Sequence, residues 1–227
     1  MSSPLTLLIA FAILGLTTAC CSNCTDSDCC SDWQPLFDGE TTAGWRNFKS
    51  ETISEGWAVE DGALTMVGGG GDIVTVAEYT SFELELEWKV APGGNSGIFY
   101  HVTDAGDAVY ATGPEMQILD DAGHHDGQNP LTSTGSCYAL YAPSEDVSRP
   151  AGEWNQVRLI VDGAHAEHWL NGTKVVEYEL WGDEWNALVA GSKFNAMPLF
   201  GTTHKGAIAL QDHGDRVAFR NIRIREL

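Results

Sequence analysis

Glu115 and Gln117 stand two apart in the run Glu115-Met116-Gln117-Ile118-Leu119-Asp120. On a strand they share one face, about 7 Å from each other, while Met116 and Ile118 turn to a core. Glu115 is a candidate base for proton abstraction, Gln117 and Asp120 are candidate substrate contacts, and Asp120 falls where the strand runs out. His124 and His125 follow in a glycine-bounded loop, where an imidazole has a pKa suited to proton transfer. Far along the chain, Gln211 and His213 share a second strand face, with Arg220 nearby to hold a carboxylate or an oxyanion. His101 alternates with Phe99 and is a candidate lining residue; Tyr138 and Trp154 could stack on a ring. Glu115, Asp120, His124 and His213 together would offer mixed oxygen and nitrogen ligands to a divalent metal, although they form no compact ligand motif. Each residue also has an ordinary reading. Glu115 could be a solvated strand carboxylate, His124 and His125 exposed loop residues, and Arg220 a structural ion pair with Asp212 or Asp215. His168 reads as a packed histidine, and Cys137 as a small buried apolar residue.

The elements that must carry these residues are strands. Phe82 to Val90 alternates strictly, with Phe, Leu, Leu, Trp and Val in and acids and Lys out. Asn95 to Val102 and Glu115 to Asp120 are further strands. Glu60-Asp61-Gly62, Asp162-Gly163 and Asn171-Gly172 are hairpin turns. Trp181 to Ser192 is the one helix expected, with Asp183 as its cap and Trp185, Leu188 and Val189 on one face. Gly206 to Leu227 reads as a closing hairpin turned at Gly214-Asp215, with Ile208 and Leu210 on the face opposite Ala209, Gln211 and His213. Its parity breaks between Phe219 and Ile222, which predicts a bulge near Arg220-Asn221. Many short strands and one small helix predict an all-β, two-sheet sandwich of jelly-roll type.

The chain has 227 residues, 12 Lys+Arg and 32 Asp+Glu, for a net charge of -20. That charge repels phosphate backbones and argues against nucleic acid as a partner. Leu5 to Leu16 is apolar and too short to span a bilayer, so residues 1–19 read as an export signal. Leu16-Thr17-Thr18-Ala19-Cys20 is similar to a lipoprotein cleavage box. A lipid anchor on Cys20, and an exported, envelope-tethered protein, are therefore expected; the rival is plain secretion after Ala19. Five of the six cysteines fall between Cys20 and Cys30, and residues 20–32 read as a tether with local disulfides in an oxidising compartment. Residues 33–227 read as one domain.

Seven tags within that domain carry a resemblance. In order they are Leu36-Phe37-Asp38-Gly39 with Gly44-Trp45; Asn95-Ser96-Gly97-Ile98; Glu115 to Asp120; Gly152-Glu153-Trp154-Asn155; His168-Trp169-Leu170-Asn171-Gly172; Leu210-Gln211-Asp212-His213-Gly214; and Phe219-Arg220-Asn221-Ile222. Together they resemble the 3-keto-disaccharide hydrolase domain family over about Trp33 to Leu227. One departure is His101, where the family often carries an Arg. The resemblance implies a concanavalin A-like lectin/glucanase sandwich, in which Asp-rich loops such as Asp104 to Asp107 would admit structural calcium. It also implies glycosides oxidised to a ketone at sugar carbon 3. The ketone acidifies the carbon 2 hydrogen, a base removes it, the carbon 1 leaving group departs, and water adds back. On that expectation Glu115, His124 and His213 are the catalytic candidates. Gln117, Asp120, Gln211, Arg220, His101 and Tyr138 are the substrate contacts, and Glu115, Gln117, His124, His213 and Arg220 are expected on one concave face. The alternative is a non-catalytic, lectin-like carbohydrate-binding module of the same fold. A conventional glucanase would need a second carboxylate facing Glu115, and Gln117 occupies that place.

Overall fold

The computed structural model describes residues 32–227. The expected export signal, Cys20 and the cysteine cluster lie outside the described residues. Thirteen strands are present among the described residues: β1 (Gln34–Pro35), β2 (Trp45–Asn47), β3 (Trp57–Glu60), β4 (Ala63–Met66), β5 (Ile73–Thr75), β6 (Phe82–Val90), β7 (Asn95–Val102), β8 (Glu115–Leu119), β9 (Asn155–Asp162), β10 (His165–Leu170), β11 (Thr173–Glu179), β12 (Ala207–Leu210) and β13 (Val217–Glu226). They form two antiparallel sheets. One runs β11-β10-β9-β6-β13-β4-β3, with β1 added on β13; the other runs β2-β5-β12-β7-β8. The core lies between them. Leu84, Leu86 and Trp88 of β6 and Phe219 of β13 meet Ile98 and Tyr100 of β7, Met116 and Ile118 of β8, and Ile208 and Leu210 of β12. Truncating one of these to alanine costs about 2–5 kcal/mol.

The alternation in β6 has its expected sense, with one exception of degree. Glu83 is 2% exposed because Arg158 and Arg225 close over its carboxylate. The helix α1 (Asp183–Gly191) buries Trp185, but Asp183 lies inside its first turn; the N-cap is Gly182, with no side-chain cap.

The C-terminal stretch is not a hairpin. β12 pairs with β5 and β7 in the five-stranded sheet, whereas β13 pairs with β6, β4 and β1 in the other. Gly214-Asp215 therefore lies in a crossing between sheets. Burial explains the difference: all four residues of β12 are buried, as a central strand requires. Ile208 and Leu210 enter the inter-sheet core, while Ala207 and Ala209 pack with Val74, Phe99, Val102 and Val109 on the outer side. The expected parity thus holds and carries Gln211 to the outer side of the five-stranded sheet. The bulge is also where parity placed it. The β13–β6 register shifts between Arg220 and Arg223, with Asn221 at φ 53°.

Candidate active site

β7 and β8 set the floor of the site. In their antiparallel register Gly97 lies opposite Gln117 and Phe99 opposite Glu115. Asn95, Gly97, Glu115 and Gln117 therefore share the outer face, and the chain beyond β12 extends it. Gln211 N donates to Gly97 O (3.0 Å) and Ser96 Oγ donates to Gln211 O (2.8 Å), which carries Gln211 and His213 alongside. The free edge of β8 is covered by the segment after the 3-10 turns. Gly135 N donates to Gln117 O (2.9 Å), Gln117 N to Ser136 O (3.1 Å) and Tyr138 N to Glu115 O (3.0 Å), so Tyr138 is held beside Glu115. His168, fully buried in β10 of the other sheet, pins this segment through Nδ1 to Gly135 O (3.0 Å). Burial lowers the His168 pKa to about 4, so it is a neutral structural donor.

These residues line a cleft of about 330 Å³ together with Asp126, Tyr110, Lys193, Phe194 and Met197. Its chemistry centres on Glu115. The residue is 8% exposed and, among the described residues, its carboxyl has no hydrogen-bond partner. Burial pushes its pKa up to about 8, against the pull of the Lys193 charge. The side chain lies across Gly97; a Cβ there would come within 2.1 Å of Glu115 Oε1, so only glycine leaves the carboxyl its place. Around it, the amide oxygens of Asn95, Gln117 and Gln211 are buried without partners. Three orphaned acceptors facing one cleft are costly unless a ligand supplies donors, and a sugar does so with its hydroxyls. Tyr138 sits under Lys193 Nζ (4.2 Å from the ring centroid), and burial raises its pKa to about 12, leaving a neutral phenol. His213 Nδ1 is 3.9 Å from the Asp215 carboxylate. His124 stands at the rim, its ring 6.0 Å from that of His213.

The expected set is thus gathered in part. Glu115, Gln117, Gln211, His213 and Tyr138 meet in the cleft, and His124 adjoins it. Four candidates do not join them. Arg220 is on the outer face of the other sheet, paired with Glu87 (2.6 Å) and stacked on Trp154 (4.0 Å), because its strand belongs to that sheet. Trp154 is likewise covered by cations, with Lys89 4.8 Å from its ring. His101 has φ 53°, which turns its ring from the Phe99 face into a buried packing with Phe82, Tyr100 and Trp181, and Nε2 bonds to Thr80 O (2.8 Å). Asp120 accepts from Gly93 N (2.6 Å) and braces the strand ends; Glu115, Asp120, His124 and His213 do not form one of the converging ligand groups among the described residues. In the Asp104 to Asp107 loop, both end carboxylates are engaged, with Arg46 and Lys49. A larger cavity, about 650 Å³, opens on the eight-stranded sheet beside Glu85, Arg158, Trp169 and Arg223. Its charges are already matched, Arg223 to Glu85 and Arg158 to Glu83, whereas the Glu115 carboxyl of the smaller cleft is not paired among the described residues.

Asn95, Asp126 and Lys193 are site residues that sequence reasoning missed. Asn95 was within reach, two residues before Gly97 on the same strand face. Lys193 follows α1 in a 3-10 turn, with no spacing that links it to Glu115.

A family model described as a 3-keto-alpha-glucoside-1,2-lyase-like domain matches residues 32–225. A 3-keto-disaccharide hydrolase of Bacteroides thetaiotaomicron is 36% identical over 224 residues, spanning 85% of this chain and 77% of that protein. A crystal structure from Parabacteroides distasonis, of a protein assigned as a glycosyl hydrolase, superposes with a TM-score of 0.81 at 35% identity, covering 86% of this chain and 94% of that one. A second protein so assigned from that organism gives 0.69 at 31% identity, covering 86% and 99%.

Proposed function

Since the chain belongs to the 3-keto-alpha-glucoside-1,2-lyase-like family and is a glycoside-cleaving enzyme, we propose that it splits 3-keto-glycosides by elimination and water addition. Glu115 removes the carbon 2 proton, which the neighbouring ketone has made acidic. The electron pair forms the enolate, and the carbon 1–oxygen bond then breaks. His213 gives a proton to the departing oxygen. Water adds at carbon 1 and a proton returns to carbon 2, so the sum is hydrolysis. Lys193 and the neutral Tyr138 phenol supply positive charge and a donor for the enolate oxygen. Asn95, Gln117 and Gln211 hold the ring by its hydroxyls.

One observation carries the reading: a single buried, unpartnered carboxyl with a pKa of about 8 among three orphaned amide oxygens. A carboxylate of that basicity is matched to carbon-acid chemistry near neutral pH. A glycosidase acting without the ketone would need a second carboxyl across the scissile bond. The test is to incubate the purified protein with a 3-keto-disaccharide and with its unoxidised parent. Cleavage of the ketone alone is expected. Cleavage of both would overturn the elimination route, and saturable binding without product would make the protein a lectin-like module.

A further inference from the structure

A second chemical feature adjoins the cleft without a part in the reaction just described. His124, His125 and Asp126 each turn one ligand atom toward the others, all within 4.8 Å of one another. His125 Nε2 is 3.0 Å from Asp126 Oδ1, and His124 Nδ1 accepts from Asp126 N at 3.2 Å, capping the 3-10 turn His125–Gln128. Asp126 also lines the cleft, and its Oδ2 is 3.4 Å from the Tyr138 hydroxyl. The His213 ring stands nearly perpendicular to His124, 82° away in plane and 6.0 Å in centroid.

We propose that His124, His125 and Asp126 form a divalent transition-metal site at the rim of the cleft, with an open position facing the substrate. Two imidazoles and one carboxylate suit zinc and its neighbours, and three protein ligands leave a position for water or a substrate oxygen. Closure needs only small movements. Metal–ligand bonds of about 2.0–2.2 Å set tetrahedral donors about 3.4 Å apart, His125 Nε2 and Asp126 Oδ1 already stand 3.0 Å apart, and the His125 side chain is 80% exposed and has room to adjust. One exchange accompanies binding: the His124 lone pair that accepts from Asp126 N passes to the ion.

A second cluster shows what an occupied set of donors looks like. His165, Glu167 and Glu177 are as close together, but Glu167 accepts from Trp169 Nε1 (2.6 Å) and Lys174 Nζ (3.2 Å). Glu177 holds Lys174 (2.6 Å), and His165 Nδ1 bonds to Glu179 (2.7 Å). A lysine already supplies the positive charge there. No lysine or arginine ion pair engages the donors of the 124–126 set among the described residues. The ion's role toward a sugar oxygen rests on the proposed reaction, but its binding does not.

The test titrates zinc into the full-length, chelator-stripped protein by calorimetry, with bound metal counted after dialysis. Zinc on the Cys20–Cys30 cluster would be common to every variant, so the difference is what decides. His125→Ala and Asp126→Asn are expected to bind one zinc fewer than the unaltered protein, while His165→Ala binds the same number. Circular dichroism and urea midpoints establish that each variant is folded. Equal zinc in the unaltered protein and in folded His125→Ala would overturn the site. Ketone cleavage is assayed separately: zinc lost on substitution with no cleavage by any form leaves the site standing and sinks the reaction. Cleavage with no zinc difference does the reverse.

Discussion

Replacing Glu115 with Gln keeps the shape of the side chain and removes its ionisation. In the fold the carboxyl titrates at about 8 against an ordinary 4.5. The native protein therefore holds this proton more tightly than the unfolded chain does. Stability falls as pH rises through that window, by about 1.4 kcal/mol per pH unit. From pH 5 to pH 8 the loss is about 4 kcal/mol, a large part of the roughly 5–15 kcal/mol that holds a domain together. His168 acts with the opposite sign. Its pKa is about 4 in the fold against 6.5, so stability from this group rises with pH across that range. Below pH 6.5 the two slopes offset each other in the unaltered protein. Above it, of the two, only the Glu115 slope remains. Glu115→Gln keeps His168, so subtracting one protein from the other isolates the carboxyl. The assay is urea unfolding at half-unit steps from pH 5 to 9 for both proteins. The stability of the unaltered protein relative to Glu115→Gln should decline by about 4 kcal/mol between pH 5 and 8. Parallel curves would show that Glu115 is not a proton-holding buried carboxyl, and its assignment as the base would go with it.

The same titration governs turnover: the rising limb of kcat/KM should follow the ionisation of Glu115 at about 8, and Glu115→Gln should lower kcat/KM by about 10²–10⁴-fold. Gly97→Ala should cost little stability, since a flexible side chain can yield, but should displace the Glu115 carboxyl and lower kcat steeply; kinetics and a urea midpoint on one preparation check both. Lys193→Met removes the charge that draws the Glu115 pKa down, so the rising limb of the pH profile should move to higher pH, and Lys193→Arg should bring it back. Arg220→Ala should leave kcat/KM unchanged, because the residue lies on the far sheet, and cost about 1–2 kcal/mol for the partly exposed ion pair with Glu87 and the stacking on Trp154.

The floor of the site was legible because strand parity is a local rule. Glu115 with Gln117, and Ala209 with Gln211, follow from a period of two, and both pairs reach the predicted face. The break at Arg220 was legible for the same reason. What parity does not tell is which sheet a strand joins. β12 and β13 read as partners because they are adjacent in sequence, yet pairing partners are chosen by which faces need burying. A strand buried on both sides, such as Ala207–Leu210, goes to the middle of a sheet and leaves its neighbour in sequence behind. Arg220 was assigned to the cleft on that false adjacency. His101 failed for a different reason: a positive φ at one residue reverses its side chain, and nothing in the residue type announces it. Lys193 and Asp126 are brought in by 3-10 turns, whose long-range placement leaves no period to read.

The central claim is that the bond breaks by way of a carbanion at carbon 2. Running the reaction in D₂O tests it directly. The released 3-keto sugar should carry one deuterium at carbon 2 by mass spectrometry and NMR, beyond that in an enzyme-free control treated identically. Product formed at full rate with protium retained at carbon 2 would contradict the account.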